Sequence, residues 1–293
     1  MRILVTGKTG QVGWRLARLL PQIGETLAVG RETMDLARPD TIRETLRGVR
    51  PDIVVNAAGI THVDRAESES ALVHAVNAVA PGIMAEEAQR LGALFVHYSS
   101  VFVFDGRKPT PYVETDEPHP VNVYGHAKLQ GDYAVAQAAG DHLILRVSWV
   151  YDVRGRNFLL TMLRLAELHP ELDVVDDQVG SPSWAQSIAA ATVDILRNVE
   201  RARSVSGLYN LSALGAVSRY DWTRRILDLT RDAREAPRLV AIKTRDFPLP
   251  AERPLNAVLD SALAMKTFGI ELDHWDDALR ACVAELGAAG AHA

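Results

Sequence analysis

A tyrosine and a lysine four residues apart are the side chains in this sequence best suited to acid–base chemistry. In Tyr124-Gly125-His126-Ala127-Lys128 the two residues stand at i and i+4, so a helix would place both on one face. A neighbouring ammonium group stabilises a phenolate and lowers the pKa of a tyrosine. The pair predicts a proton donor, Tyr124, and a helper, Lys128, for a reaction that adds hydride to a ketone carbon and a proton to its oxygen. An ordinary surface pair on a helix is the alternative.

A hydroxyl group completes the candidate catalytic set. Ser99 and Ser100 end an apolar run that is typical of a buried strand. Parallel α/β sheets bind their ligands at the carboxyl ends of the strands. We therefore expect Ser100 to hydrogen-bond the carbonyl oxygen, the alternative being a hydroxyl that caps a loop.

Three glycines with the spacing G-x-x-G-x-x-G follow the first predicted strand and begin the first predicted helix. Gly7, Gly10 and Gly13 would let the backbone approach a pyrophosphate, which would lie at the helix N-terminus beside Gln11 and Val12. The motif predicts a dinucleotide cofactor. A turn that merely needs glycine is the alternative.

The end of the second predicted strand bears on which cofactor is bound. An acidic residue there would select the ribose 2′-hydroxyl of NADH, but this chain has Gly30-Arg31. A guanidinium suits a 2′-phosphate, which favours NADPH over NADH, with a solvated arginine as the alternative. The other expected cofactor contacts are Asp35, Leu36, Ala57, Ala58 and Gly59.

The order of apolar runs and helical patterns predicts an α/β fold. Short β-branched runs alternate with amphipathic segments through residues 1–150, which is typical of a Rossmann-like, doubly wound parallel sheet that binds NAD(P). Residues 151–293 are less regular, and we expect them to form mainly a smaller C-terminal substrate lobe. Elements at about 172–211 are expected to return to the main sheet.

Composition excludes several classes of protein. A net charge of −5 argues against nucleic-acid binding, and no apolar run reaches the ~18 residues that a membrane span needs. The single cysteine, Cys282, cannot form an internal disulfide, and the N-terminus lacks the pattern of a signal peptide. We expect a cytoplasmic protein with a small-molecule substrate and neither nucleic-acid nor membrane partners; a homodimer is left open.

Segments spread over nearly the whole chain resemble the extended short-chain dehydrogenase/reductase superfamily, and within it the dTDP-4-dehydrorhamnose reductase family. The glycine motif and the Tyr124–Lys128 pair are shared across the superfamily. The runs Ser148-Trp149-Val150-Tyr151 and Asp177-Gln178-Val179-Gly180 are more specific to these reductases. The segments that carry the likeness are 7–13, 50–58, 63–67, 122–128, 146–151, 157–158, 177–182 and 253–254.

The resemblance implies a reaction and a set of binding residues. NAD(P)H would reduce the C4 ketone of dTDP-4-dehydro-L-rhamnose, with Tyr124 protonating the new alkoxide, Ser100 hydrogen-bonding it and Lys128 holding the nicotinamide ribose. The sugar would be lined by Thr61, Val63, Ser100, Phe102 and Trp149. Asn157 and Arg253 would lie near the diphosphate or the nucleotide.

The chain departs from the family pattern in two places. The family usually reads Ser-Thr-Asp-Tyr-Val-Phe where this chain has Ser99-Ser100-Val101-Phe102-Val103-Phe104, so a carboxylate and a phenol are lost. That loss weakens the possibility of a 4,6-dehydratase, which needs an acid pair there. Some relatives bind Mg²⁺ at a dimer interface through a glutamate soon after the glycine motif; here Arg15 lies in that stretch, and Gln186 lies where a second acid is expected. We predict that no metal is bound.

Two further functions stay open at this point. One is a 4-ketoreductase or epimerase that acts on another nucleotide sugar. The other is a non-catalytic protein like the reductase-like regulatory subunit of methionine adenosyltransferase, a class for which Val101 and Phe102 leave room.

Overall fold

A six-stranded sheet lies at the centre of the structure, a computed structural model that describes residues 1–138, 140–232 and 234–290. The strands are β1 Arg2–Thr6, β2 Glu25–Val29, β3 Ile53–Asn56, β4 Leu94–Ser100, β5 His142–Val147, β6 Val150–Tyr151, β7 Glu171–Val175, β8 Val179–Gly180, β9 Ser183–Trp184, β10 Gly207–Asn210, β11 Val217–Ser218, β12 Arg238–Ile242 and β13 Asn256–Ala257.

Helices connect most of these strands. They are α1 Gln11–Leu19, α2 Pro39–Val49, α3 Val63–Ser68, α4 Ser70–His74, α5 Ala80–Leu91, α6 Val123–Gln137, α7 Phe158–Leu168, α8 Ala185–Leu196, α9 Val199–Ser204, α10 Arg219–Thr230, α11 Ala262–Phe268 and α12 Trp275–Gly290. A search of these described residues finds no helix with the length and hydrophobicity to cross a membrane.

The main sheet has the order β10-β5-β4-β3-β1-β2, and every neighbouring pair in it is parallel. Strand order reverses between β1 and β3, because the chain passes from β1 to β2 on one side and then to β3 on the other. Ligands of doubly wound sheets bind at such a reversal, at the carboxyl ends of the strands. The predicted α/β Rossmann-like fold is confirmed.

Successive residues of the strands enter two different cores. In β1, Ile3 and Val5 pack with Leu16 of α1 and Ile188 of α8 on one face of the sheet, whereas Leu4 packs on the other face with α2 and α5. Side chains of a strand alternate between faces, and burial of both faces explains why the predicted strands are almost continuously apolar.

Among the described residues, the second half of the chain builds three small sheets and most of a further core, to which Val101, Phe104 and Leu129 of the first half also contribute. The orders of the small sheets are β11-β8-β13, β12-β7 and β6-β9. Within the segment 172–211, β10 and α8 pack with the main sheet, while β7 pairs with β12 in a sheet of its own. Trp222 and Tyr151 are fully buried in the core of this half. The division at residue 150 stays a prediction.

A π-helical turn at Ala75–Val79 interrupts the helical run between α4 and α5, and Pro81 follows it in the first turn of α5. The π turn brings the backbone carbonyl of Asn77 up to Gly131 of α6, and a β-carbon on Gly131 would overlap this oxygen. Helix α6, which carries Tyr124 and Lys128, therefore approaches the neighbouring helices closely at a residue without a side chain.

We expect Gly131→Ala to destabilise the fold by about 1–3 kcal/mol, because the added methyl meets backbone that cannot move aside cheaply. Gly48→Ala is the matched control, since Gly48 lies in α2 with open space around its Cα; it should be neutral or stabilising by up to about 1 kcal/mol. Urea denaturation followed by circular dichroism measures both. Equal stability of the two variants would contradict the close approach of α6.

Candidate active site

The glycine motif forms a tight turn between β1 and α1. Gly7 has φ +73°, in the left-handed region that favours glycine, and its carbonyl accepts a hydrogen bond from Gly10 N–H at 2.8 Å. A β-carbon on Gly13 would overlap the carbonyl of Gly7. Three chain segments meet here, because a β-carbon on Gly7 would also lie 2.7 Å from the carbonyl oxygen of Ala57.

The N-terminus of α1 suits an anion. Gly10 is the N-cap residue and offers no side chain to the first turn, so the N–H groups around Gln11, Val12 and Gly13 point out of the helix end without a side-chain cap. This cradle at the strand-order reversal fits the pyrophosphate of a dinucleotide. A methyl group at Gly13 would overlap the Gly7 carbonyl and so distort this turn.

The basic groups at the end of β2 include one that the sequence reasoning missed. Arg31 is exposed directly after β2, and Lys8 Nζ lies 2.6 Å from Glu32 Oε1 beside it. The Lys8 ammonium holds the pKa of the exposed Glu32 below its usual value. The position of Lys8 inside the glycine motif is the sequence signal that could have revealed it.

The remaining predicted cofactor residues differ in how they are placed. Leu36 is buried in the core on the α2 face, and Asp35 Oδ1 accepts a hydrogen bond from Ala37 N–H at 3.0 Å. Ala58 N–H donates to Thr6 Oγ1 at 3.2 Å, which holds the small residues Ala57, Ala58 and Gly59 against the end of β1. Asn77 bonds both backbone groups of Ile60, so its role here is to order that loop.

The structure brings Ser100 and Tyr124 together. Ser100 ends β4, Tyr124 lies in the first turn of α6, and both are buried. Asn122 is the N-cap of α6, accepting from Gly125 N–H at 2.8 Å, and so determines where the helix begins. Burial raises the pKa of the Tyr124 phenol, a hydrogen bond with Ser100 lowers it in part, and Asp132 raises it. At neutral pH the phenol therefore carries the proton it would donate.

Lys128 is buried one turn further along α6. Its Nζ donates to the carbonyl oxygen of Tyr98 at 2.5 Å and lies 3.2 Å from His97 Nε2. Burial lowers the pKa of Lys128 to about 8, against the opposing effect of Asp132. The ammonium form still predominates at pH 7, but the lysine is poised to change its charge near the working pH.

A buried carboxyl continues the same face of α6. Asp132, at i+8 from Tyr124, accepts a hydrogen bond from Ser99 Oγ at 2.7 Å and lies 3.4 Å from the Arg146 guanidinium. Burial raises the pKa of Asp132, and Arg146 and then Lys128 oppose the rise. Tyr124, Lys128 and Asp132 thus form a row on α6, and Asp132 raises the pKa of both other groups.

Apolar residues surround the Tyr124 ring. Val63 and Phe102 belong to the cluster around it, and the Phe102 ring meets it edge-on with the centroids 5.7 Å apart. Val101, the other departure from the family pattern, is fully buried. Thr61 is exposed in the loop before α3. The structure therefore places Val63, Ser100 and Phe102 beside Tyr124.

Trp149 lies in an aromatic stack together with a cation that the sequence reasoning missed. The Arg219 guanidinium lies 3.5 Å from the centre of the Trp149 ring, and Trp222 stacks on Trp149 at 5.9 Å. Trp149 has φ +41°, a strained conformation for a residue with a side chain, which the packing must hold in place. Burial, with Arg253 adding to it, lowers the pKa of Arg219 to about 9, so the group remains a cation at neutral pH.

Arg219 faces a cavity of about 520 Å³ in the second half of the chain. Within the described residues, its guanidinium has neither a carboxylate partner nor a hydrogen bond. Phe158 and Gln178 form one part of the cavity wall, and the segment 247–253 forms another. Asn122 Nδ2 donates to the carbonyl of Glu252 at 2.8 Å, so this wall is tied to the helix that carries Tyr124.

The two predicted nucleotide contacts have different surroundings. Arg253 lines the cavity, and its Nη2 lies 2.8 Å from Asp64 Oδ2. Asn157 is buried instead: it is the N-cap of α7, and its Nδ2 donates to Gln11 Oε1 at 3.0 Å and to the Asp152 carbonyl at 2.8 Å. These bonds occupy the side chain of Asn157, which favours a structural role.

Arg15 is buried on α1 and faces two acids. Its guanidinium forms a bidentate contact with Asp152, and its Nη2 lies 2.8 Å from Glu285. Trp184 Nε1 also donates to Asp152 at 3.0 Å. A fixed positive charge therefore neutralises these carboxylates, and the prediction that no metal is bound stays a prediction.

Comparison with known proteins agrees with this geometry. Residues 1–288 match the family described as the RmlD substrate binding domain. A dTDP-4-dehydrorhamnose reductase of Burkholderia thailandensis is 45% identical over 98% of this chain and 99% of its own length.

Solved structures give the same result. A dTDP-4-dehydrorhamnose reductase of Clostridium acetobutylicum superposes with a TM-score of 0.90 at 31% identity, covering 98% of this chain and 100% of that one. A dTDP-4-dehydrorhamnose reductase of Bacillus anthracis, solved in complex with NADP, has a TM-score of 0.89 at 29% identity, covering 97% and 99%.

The parallel sheet, the glycine turn and the Ser100–Tyr124–Lys128 arrangement define a Rossmann-type oxidoreductase of the short-chain dehydrogenase/reductase class. Within that class, the match over 1–288 and the identity of 45% over nearly the full length decide the family. The chain belongs to the dTDP-4-dehydrorhamnose reductase family, and the family predicted from the motifs is confirmed.

We expect Gly13→Ala to weaken NADPH binding at least tenfold, because its methyl group would overlap the Gly7 carbonyl and distort the anion cradle. Gly10→Ala is the comparison, since its β-carbon would lie 3.3 Å from the same oxygen and should cost less. Quenching of tryptophan fluorescence by NADPH measures both. Wild-type affinity in a folded Gly13→Ala protein would rule out this turn as the cofactor site.

Proposed function

We propose that this protein uses NADPH to reduce the C4 ketone of dTDP-4-dehydro-L-rhamnose, forming dTDP-L-rhamnose. One observation carries the proposal: the Ser100 and Tyr124 hydroxyls are hydrogen-bonded at the carboxyl end of β4, and Lys128 is buried one turn further along the same helix as Tyr124. Membership of the reductase family supports the same reaction. A cytoplasmic location belongs to the proposal as a prediction from the sequence.

The residues present fit a dinucleotide. Gly7, Gly10 and Gly13 would hold the pyrophosphate at the N-terminus of α1, and Lys8 and Arg31 would hold the 2′-phosphate of NADPH. When bound, the cofactor supplies the hydride that the sugar carbon accepts. The Bacillus anthracis relative in complex with NADP supports this choice of cofactor.

The chain's own groups handle the proton. Tyr124 donates its phenolic proton to the oxygen that becomes the C4 hydroxyl, and the Ser100 hydroxyl hydrogen-bonds that oxygen while its negative charge develops. The Lys128 ammonium stabilises the phenolate left behind and holds the nicotinamide ribose. The apolar wall formed by Val63 and Phe102 excludes water from the phenol, which strengthens each of these interactions.

The cavity receives the rest of the substrate. Arg219 and Arg253 lie on its wall and would pair with the diphosphate, because guanidinium groups form strong charge-assisted hydrogen bonds with phosphate oxygens. Trp149, which supports Arg219 through its ring, would line the sugar together with Thr61, Val63 and Phe102. In this assignment the function of the aromatic stack is to hold the Arg219 guanidinium in position for the substrate diphosphate.

The direct test is NADPH oxidation by the purified protein with a panel of nucleotide 4-keto sugars, followed by the stereochemistry of the product at C4. Stoichiometric NADPH consumption with the dTDP-4-keto sugar is expected. An epimerase would convert sugar without consuming NADPH. Absence of NADPH oxidation with every member of the panel would remove the enzymatic proposal.

Tyr124→Phe should lower kcat by at least a hundredfold while NADPH affinity stays within about twofold, because one hydroxyl is removed and the ring packing against Phe102 is kept. The rate of NADPH oxidation at 340 nm measures kcat, and fluorescence titration measures the affinity for NADPH. Undiminished kcat would remove Tyr124 from the role of proton donor.

Arg219→Met should raise KM for the nucleotide sugar by about 10–100-fold, since a charge-assisted hydrogen bond is worth about 1.5–3 kcal/mol. Methionine keeps much of the packing on Trp149. Arg224→Met is the matched control: Arg224 lies on the same helix, is exposed and pairs with Asp221, so its loss should leave KM unchanged. Equal KM values for the two variants would exclude the diphosphate role of Arg219.

A further inference from the structure

A row of buried polar side chains crosses the sheet behind Lys128. Thr6, Asn56 and His97 are paired in register on the adjacent strands β1, β3 and β4, and each is at most 2% exposed. Thr6 Oγ1 lies 2.8 Å from Asn56 Oδ1, Asn56 Nδ2 lies 3.0 Å from His97 Nδ1, and His97 Nε2 lies 3.2 Å from Lys128 Nζ. The row leads from the glycine turn to the catalytic lysine.

Backbone contacts determine which atoms donate and which accept in the hydrogen bonds of this row. Ala58 N–H donates to both Thr6 Oγ1 and Asn56 Oδ1, so the Thr6 hydroxyl must donate its own proton to Asn56 Oδ1. With its oxygen committed to these donors, Asn56 presents its amide N–H to His97 Nδ1. Nδ1 must then accept, and the neutral imidazole carries its proton on Nε2.

The Nε2–H of His97 has two acceptors within reach, and they suit different states of Lys128. A neutral Lys128 amine has a lone pair that can accept this proton, whereas an ammonium group has none. Asp132 Oδ1 lies 4.0 Å from His97 Nε2, and it has no hydrogen-bond partner among the residues that the structure describes. A small rotation of the imidazole would carry its donor from the lysine to this carboxyl oxygen.

We propose that Thr6, Asn56 and His97 act as a positioning chain that holds His97 as an Nε2–H donor and thereby shifts the balance of Lys128 from the ammonium form toward the amine. His97 donates to Lys128 when the lysine is neutral and turns to Asp132 when the lysine is charged. In this scheme the three residues of the positioning chain touch neither substrate nor cofactor, and they act through Lys128. The effect of the positioning chain on catalysis rests on the proposed reductase function.

The charges around the chain are consistent with this arrangement. Burial, with Lys128 adding to it, keeps the pKa of His97 well below its usual value, so the imidazole stays neutral. Among the described residues, Asp132 on α6 is the other charged group beside Lys128 and His97, and Asp132 in turn interacts with Tyr124 on α6 and with Arg146 on β5. Asp132 favours the ammonium form of Lys128, and the Nε2–H of His97 favours the amine.

The test follows the titration of Lys128 in the whole protein without substrate, by NMR of ¹³C-labelled lysine, in which Lys128 is one of five lysines. His97→Asn keeps an acceptor for Asn56 and removes the Nε2–H, so it should raise the Lys128 midpoint by about one pH unit, the worth of one hydrogen bond. Asn56→Leu removes the amide that holds His97 in its Nε2–H tautomer and adds no charge. It should therefore also raise the Lys128 midpoint. The basic limb of the pH profile of kcat, expected near pH 8 in the wild type, should move together with the Lys128 midpoint.

Thr192→Val is the matched control, because it removes a buried hydrogen bond to the Tyr98 hydroxyl on the other side of the same strand; it should leave the Lys128 midpoint in place. The ¹⁵N spectrum of histidine-labelled wild-type protein reports the His97 tautomer even if neither variant folds. A proton on Nδ1, or an unchanged midpoint in a folded His97→Asn protein, overturns the positioning chain. Failure of every sugar to oxidise NADPH would overturn the reductase proposal and leave these two readouts intact.

Discussion

The burial of the Lys128 side chain against the end of β4 is the constraint on which the rest of the catalytic region depends. A lysine removed from water is stable only where polar groups replace its hydration. Here the groups that replace the hydration of Lys128 are the Tyr98 carbonyl, the His97 ring and the Asp132 carboxyl. To bring them together, α6 must lie close to both the sheet and the π turn, and Gly131 makes that approach sterically possible.

The N-terminus of α6 links this buried region to the substrate lobe. Asn122 both caps α6 and donates to the carbonyl of Glu252, and Arg253 pairs with Asp64 on α3. The cavity wall at 247–253 is therefore held in a fixed relation to the Tyr124 phenol. In the proposed binding mode, the nucleotide end of the substrate would occupy the cavity, and the contacts that begin α6 would help to place the reducible carbon beside Tyr124.

The departure from the family pattern at Val101 and Phe102 falls on the wall of the candidate site and leaves Tyr124, the proposed proton donor, in place. Val101 is enclosed in the core, and Phe102 packs edge-on against Tyr124. An apolar wall cannot replace the hydrogen bonds of a carboxylate and a phenol, so any sugar contacts that those groups make in relatives must be made differently here. Ser100 keeps its hydroxyl beside Tyr124, and the proton chemistry at C4 needs no group from residues 101 and 102.

The sequence by itself was sufficient for features that depend on neighbours along the chain. The alternation of apolar runs predicted the parallel sheet, and the spacings of Gly7 to Gly13 and of Tyr124 to Lys128 predicted the two parts of the site, since a turn and a helix convert short spacings directly into geometry.

The tertiary structure alone decided what depends on contacts between distant residues. Arg219 looks like any surface arginine until Trp149 and Phe158 enclose it, and His97 looks like one residue of a buried strand until Asn56 and Lys128 approach its two ring nitrogens. Asn157 shows the converse, because its resemblance to a ligand-binding residue gave no sign that its amide is used within the fold. Burial and partners determine the pKa and the free hydrogen-bonding capacity of a side chain, and both are properties of the folded chain.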